Sequence, residues 1–267
     1  METTDLQIAI IGAGNMGGAI ARGLSKGKLI QSKNIRVSDV SQSNLDALKA
    51  FAPEITVSTS NRDIIKDANI VILAVKPWLV ESIAEELENK FDYRKQLVVS
   101  IAAGVEFEQL TTYFNTESTI FRVIPNTAID VQQSVSTIAS FNATQEQEQL
   151  IVDIFAELGK TFLVTETQLN AFMSLSSCGI AYAFRYIRAA TEGGVEMGIY
   201  PNTAKEVVIQ TLRGAIELLE ANGTHPEVEI DKVTTAGGTT IKGLNEMEAN
   251  GFTNAVIKGL KASHIKK

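Results

Sequence analysis

The stretch that most constrains this chain is Ile8-Ala9-Ile10-Ile11-Gly12-Ala13-Gly14-Asn15-Met16-Gly17-Gly18, an apolar run that breaks into glycines and then into a helical pattern. A buried strand ending in Gly-x-Gly-x-x-Gly turns tightly at Gly12, lets bare backbone at Gly14 approach a pyrophosphate, and seats the next helix closely at Gly17. That helix carries Ala19, Ile20 and Leu24 on its inner face and points its N-terminal amides at the phosphates. The same glycines also suit a tight turn without a ligand, so the surrounding pattern has to decide.

That pattern is an alternation of strands and helices. Residues 35–38 read as the second strand, with Asp39 at its end, the spacing at which a dinucleotide fold sets an acidic residue against the adenosine ribose 2′-hydroxyl. A carboxylate there repels a 2′-phosphate and leans towards NADH; capping a helix over residues 44–51 is the competing use of Asp39. Pro53 stops that helix, residues 55–57 form a short strand, and residues 60–63 lead into a short helix. The run over residues 69–75, rich in β-branched residues, delivers Ala74-Val75-Lys76-Pro77 to the strand ends where open parallel sheets bind ligands. Lys76 is therefore a candidate contact, with a solvated turn lysine as the alternative.

A helix over residues 78–88 follows, with Trp78 expected in core or interface packing. Next come a strand at 97–101 and the loop Ala102-Ala103-Gly104, whose small side chains let a flat ring approach the backbone. A strand at 119–124 runs into Pro125-Asn126-Thr127; residues 135–139 are extended, 145–158 helical, and 160–164 the last strand. The fold class is α/β, with a Rossmann-like, doubly wound parallel sheet over residues 1–164. From residue 165 the texture changes, since 165–200, 202–221, 239–250 and 252–264 are helical by period. Residues 165–267 are thus expected to be an all-α domain, partly buried against another subunit because its apolar residues fall on several faces.

The most unusual sequence in this second half is Val233-Thr234-Thr235-Ala236-Gly237-Gly238-Thr239-Thr240-Ile241. The amides of Gly238, Thr239 and Thr240 suit a carboxylate, and a threonine hydroxyl suits a second polar atom; a plain N-cap with a flexible lead-in is the alternative. Two glycine-rich helix starts, one for a dinucleotide and one for a small anion, fit hydride transfer to a small carboxylate.

Charge narrows the partners. With 24 basic against 31 acidic residues, net −7, a polyanion is not expected as partner, so nucleic acid is set aside. The acidic start Met1-Glu2-Thr3-Thr4-Asp5 lacks the order of a signal peptide, and no apolar run reaches the length of a membrane span. The single cysteine, Cys178, fits a reducing compartment, which points to the cytoplasm. His225 and His264 lie far apart, and no metal site is expected.

In its motifs the chain resembles the pyrroline-5-carboxylate reductases. Ile11-Gly12-Ala13-Gly14-Asn15-Met16-Gly17, Ala74-Val75-Lys76-Pro77, Ser100-Ile101-Ala102-Ala103-Gly104, Arg122-Val123-Ile124-Pro125-Asn126-Thr127 and Gly237-Gly238-Thr239-Thr240-Ile241 come in the family's order. The resemblance implies reduction of the C=N bond of 1-pyrroline-5-carboxylate to L-proline by NADPH or NADH. It also implies a homodimer or ring of dimers joined through the helical domain.

Carried over residue by residue, the resemblance places Gly12, Gly14, Asn15, Met16 and Gly17 at the cofactor with Asp39, and Asn61 at the adenosine ribose. Ala74, Val75, Lys76, Pro77 and Ala102 line the path to the nicotinamide. Thr235, Gly238 and Thr239 hold the substrate carboxylate, and the Thr240 hydroxyl meets the ring nitrogen. Where the family usually carries prolines, this chain has Ala128, Ile180 and Ala236, which bears on substrate choice. A related reductase of another small cyclic imine or keto acid, and a dinucleotide-binding paralogue without catalysis, are the alternative functions.

Overall fold

The computed structural model describes residues 6–264, so the acidic start at Met1–Asp5 lies outside them. The chain divides into two compact units between Ser177 and Cys178. In the first unit eight strands form one sheet: β1 (Ile8–Ile11), β2 (Ile35–Ser38), β3 (Thr56–Ser58), β4 (Ile70–Leu73), β5 (Leu97–Ser100), β6 (Ile120–Ile124), β7 (Ser134–Phe141) and β8 (Gly159–Leu163). Their order is β3-β2-β1-β4-β5-β6-β7-β8, so the winding reverses between β1 and β4. Ligands of open α/β sheets bind at such a reversal, beyond the strands' C-terminal ends.

All pairings are parallel except one. β7 runs antiparallel to β6, with Ile120 opposite Phe141 and Ile124 opposite Thr137. The parallel reading of the sheet is corrected at that edge. The link between the two strands, Pro125 to Gln133, holds only a 3-10 turn at Thr127–Val131, too short for the helical crossover that a parallel return needs.

Every residue of β1 and β4 is buried, which explains why their sequences show no polar alternation. Ile8 and Ile10 face one layer, built with α1 (Asn15–Ser25), α2 (Gln42–Phe51) and α6 (Gln145–Ala156) around Ile20, Leu45 and Phe155. Ala9 and Ile11 face the other, built with α3 (Asn61–Ile65), α4 (Val80–Leu87), α5 (Phe107–Tyr113) and α7 (Leu169–Ser176). Each large aliphatic side chain so buried contributes about 1.5–3 kcal/mol.

Helix α5 has no counterpart among the elements read from sequence, although its capping box, Glu106 with Gln109, is a local signal. Trp78 is 75% exposed, which removes the core-packing reading. The helical texture begins near residue 165, but the packing division comes later. Leu169 is buried among the side chains of the sheet's second layer, and the Ser177 hydroxyl donates to the Pro125 carbonyl at 2.9 Å.

Among the described residues of the second unit, the regular elements are all helices. They are α8 (Gly179–Glu196), α9 (Pro201–Asn222), α10 (Pro226–Val233), α11 (Thr239–Ala249) and α12 (Phe252–Ser263). The helical stretch read over 165–200 is interrupted by a 3-10 turn at Glu166–Gln168 and by the break between α7 and α8. Pro226 stands at the first position of α10, and His225 caps that helix by accepting from the Glu227 amide at Nδ1. Among the described residues of this unit only Gly194 and Ala204 are buried.

Candidate active site

A cleft of about 790 Å³ opens in the first unit where the sheet order reverses. Its floor is the turn after β1. Gly12 there has φ +102, and a Cβ on it would sit 2.4 Å from the Ala74 carbonyl oxygen, so only glycine lets β1 and β4 end this close together. Its amide donates to the Ser38 carbonyl at 2.7 Å. A Cβ on Gly17 would stand 1.9 Å from the Gly12 carbonyl oxygen, which presses α1 onto the turn. Gly17 therefore lies behind the cleft, while Gly12, Gly14, Asn15 and Met16 line it.

Helix α1 begins at Gly14 with no side-chain cap and no acidic residue in its first turn. Its leading amides, which have no acceptor within the helix, are thus left for an anion. A Cβ built on Gly14 would meet nothing within 4 Å, so bare backbone faces open space. This uncapped, unshielded helix start fits a pyrophosphate. Ala74, Val75, Lys76 and Pro77 line the same cleft from the end of β4, and Ala102 and Ala103 from the end of β5. The Lys76 side chain is exposed, and among the described residues no ion pair engages it.

The far end of the cleft is more acidic. The Asp39 carboxylate accepts from the Ala13 amide at 2.6 Å and from the Ser41 amide at 2.7 Å, tying the glycine turn to the end of β2. It does not cap α2, whose N-cap is Ser41. Asn61 opens α3; its Oδ1 accepts from the Ser38 hydroxyl at 2.7 Å, and its Nδ2 donates to Glu86 Oε2 at 2.9 Å. Glu86 also lies 3.8 Å from the Arg62 guanidinium. Sequence reasoning missed Glu86. It is one of four glutamates between residues 81 and 88, and nothing in the linear pattern separates it from Glu81, Glu85 and Glu88.

Thr235, Gly238, Thr239 and Thr240 lie together in the second unit at the start of α11. The helix begins after Gly238 with no side-chain cap and no acidic first turn. One expected role is corrected: the Gly238 amide already donates to the Thr235 carbonyl at 2.9 Å and is not free to grip a carboxylate. The amides of Thr239 and Thr240 occupy the first turn, where no helical carbonyl can accept from them. Among the described residues no group of three His, Cys, Asp or Glu side chains could hold a metal ion, and no helix is long and apolar enough to cross a membrane.

Known proteins match both units. Residues 166–267 fit the family model for pyrroline-5-carboxylate reductase dimerisation, and residues 7–104 fit that of the coenzyme F420-dependent NADP oxidoreductases. A pyrroline-5-carboxylate reductase of Methanosarcina acetivorans is 37% identical over 96% of each chain. Pyrroline-5-carboxylate reductase 1 of Dictyostelium discoideum is 35% identical over this whole chain, which spans 50% of that protein's length. The crystal structure of a Plasmodium falciparum pyrroline carboxylate reductase with NADP bound superposes with a TM-score of 0.88, at 25% identity, covering 98% of this chain and 96% of that one. With a glycine turn built for a dinucleotide at one end and the dimerisation module at the other, the chain belongs to the pyrroline-5-carboxylate reductase family.

Proposed function

We propose that the chain reduces 1-pyrroline-5-carboxylate to L-proline with NAD(P)H. The observation that carries this reading is the cleft at the sheet's reversal, floored by Gly12 and Gly14 and entered by the uncapped start of α1, in a chain of this family. The cofactor, when bound, supplies the hydride. The residues proposed to hold it are Gly12, Gly14, Asn15 and Met16 at the phosphates, with Gly17 seating the helix behind them. Asp39 and Asn61 serve at the ribose, and Ala74, Val75, Lys76, Pro77 and Ala102 towards the ring.

The labour is divided at residues 164 and 165, with dinucleotide binding before and substrate binding and subunit pairing after. The substrate carboxylate is taken by the amide of Thr239 and the hydroxyl of Thr235 at the N-terminal end of α11, with Gly238 shaping the turn. Thr240 offers its hydroxyl to the ring nitrogen and so orients the imine for hydride addition at the carbon of the C=N bond. The nitrogen takes its proton from solvent. Assembly is as a homodimer, or a ring of dimers, through the helical second unit. The cytoplasm is the proposed compartment, in keeping with the single cysteine.

Purified protein given the cyclic imine should oxidise NADH or NADPH. Thr240→Ala should lower kcat by roughly 10- to 100-fold, the worth of one hydrogen bond to a charged partner, while dinucleotide affinity stays within about twofold. A preparation that binds dinucleotide but turns over neither cofactor with the imine would remove the reading. The replacement of family prolines by Ala128, Ile180 and Ala236 favours a second reading, reduction of another small cyclic imine or keto acid. A substrate panel separates the two.

A further inference from the structure

We propose that the chain selects NADH over NADPH, and that Glu86, acting with Asp39, sets that choice by denying a 2′-phosphate any cation. The inference rests on the reductase reading above and deepens it at the cofactor's adenosine end.

Three observations carry it. First, every neutral polar side chain at the far end of the cleft is committed to a chain that ends on a carboxylate. The Ser38 hydroxyl donates to Asn61, whose amide donates to Glu86. Second, Arg62, beside Asn61 on α3, brings the neighbouring guanidinium, and its Nε stands 3.8 Å from Glu86 Oε1. Third, the Ser41 amide after β2, a donor that a phosphate would otherwise use, is taken by Asp39, and the Ser41 hydroxyl pairs with that of Ser43 at 2.9 Å.

The charged side chains lining the cleft are then Asp39 and Glu86 against Lys76, and Lys76 stands at the end of β4 rather than β2. An acidic residue at the end of β2 is where this fold receives ribose hydroxyls, which donate to carboxylates without penalty. A phosphate, carrying close to two negative charges, would meet two carboxylates and a guanidinium already paired. The Plasmodium structure with NADP bound shows that relatives of this fold accept the phosphorylated cofactor, so the choice lies in these side chains.

The test is equilibrium binding of NADH and NADPH by fluorescence, with 5′-ADP and adenosine 2′,5′-bisphosphate as calorimetric probes. The protein as it stands should bind the unphosphorylated member of each pair at least roughly tenfold more tightly, as one repulsive contact of this kind implies. Glu86→Gln keeps an acceptor for Asn61 and releases Arg62. It should improve the binding of the phosphorylated members several-fold relative to the others, and adding Arg62→Ala should reverse that gain. Asp39→Ser should narrow the same ratio if Glu86→Gln does not fold.

NADPH bound as tightly as NADH by the unaltered protein would overturn the proposal and leave the reductase reading standing. So would a ratio that none of these variants moves. Failure of the unaltered protein to bind either dinucleotide would remove both.

Discussion

Gly12 and Gly14 stand two residues apart and carry different burdens. Gly12 has positive φ and a carbonyl oxygen where a side chain would go, so Gly12→Ala combines backbone strain with overpacking. It should destabilise the first unit by about 2–4 kcal/mol, read from urea denaturation. Gly14 has φ −67 and open space beside it, so Gly14→Ala should leave stability within about 0.5 kcal/mol. Its methyl would stand between backbone and ligand, and dinucleotide affinity should fall by at least roughly tenfold. If both variants lose stability equally, Gly14 serves the turn and not a ligand.

Among the elements, the join between β6 and the turn before α7 depends on one buried ion pair. The Arg122 side chain is 6% exposed and donates to Glu166 Oε1 at 2.6 Å, and the same oxygen accepts from the Phe107 amide that opens α5. Glu166→Ala leaves a guanidinium buried without its counter-charge, and removing one partner of such a pair costs about 3–5 kcal/mol. Glu166 is itself 32% exposed, so water relieves part of this, and about 3 kcal/mol is the expected loss in urea denaturation. Replacing both residues by leucine should cost less than the single change, and a double-mutant cycle checks it.

At the other end of the chain, the Glu229 carboxyl of α10 is held below its ordinary value of 4.5. Lys232 contributes most to this, followed by the Thr224 hydroxyl and then the Asn222 amide. A carboxyl with its folded value depressed contributes stability that is fully present above its unfolded value and is lost as pH falls through the folded one. The turn between α9 and α10 should therefore hold at neutral pH and loosen only in acid below 4.5. Carboxyl-detected NMR should give Glu229 a midpoint under that value in Lys232-containing protein, and a higher one after Lys232→Ala. A midpoint unmoved by that change would mean the ion pair is not formed in solution.

For the whole molecule, the second unit poses a physical problem that a partner solves. Among its described residues only Gly194 and Ala204 are buried, far too few to hold five helices, while Phe184, Val207, Ile216, Leu218, Val256 and Ile257 stand open to solvent. Apolar surface on this scale marks a subunit interface, and the match of residues 166–267 to the dimerisation model names the kind. Sedimentation velocity should find no monomer at micromolar concentration. Ile216→Glu combined with Val256→Glu should dissociate the assembly and abolish turnover, with dinucleotide affinity largely retained because the cleft belongs to the first unit. Retention of full turnover by a demonstrated monomer would show the site to be complete within one chain.

What the residues alone determined is whatever depends on near neighbours. The run into Gly12, the buried strand before Ala74, the small loop at Ala102 and the start of α11 at Thr239 each follow from local period, turn geometry and capping, and all were legible before any fold was known. Tertiary structure decided what joins distant stretches. It turned β7 antiparallel and bound α7 to the sheet unit through Leu169. It also singled out Glu86 from its neighbouring glutamates by setting it against Asn61, 25 residues earlier in the chain. A carboxylate's partners depend on which helix lies beside it on the same face of the sheet, and that is settled only when burial of the apolar layers has fixed every strand's place.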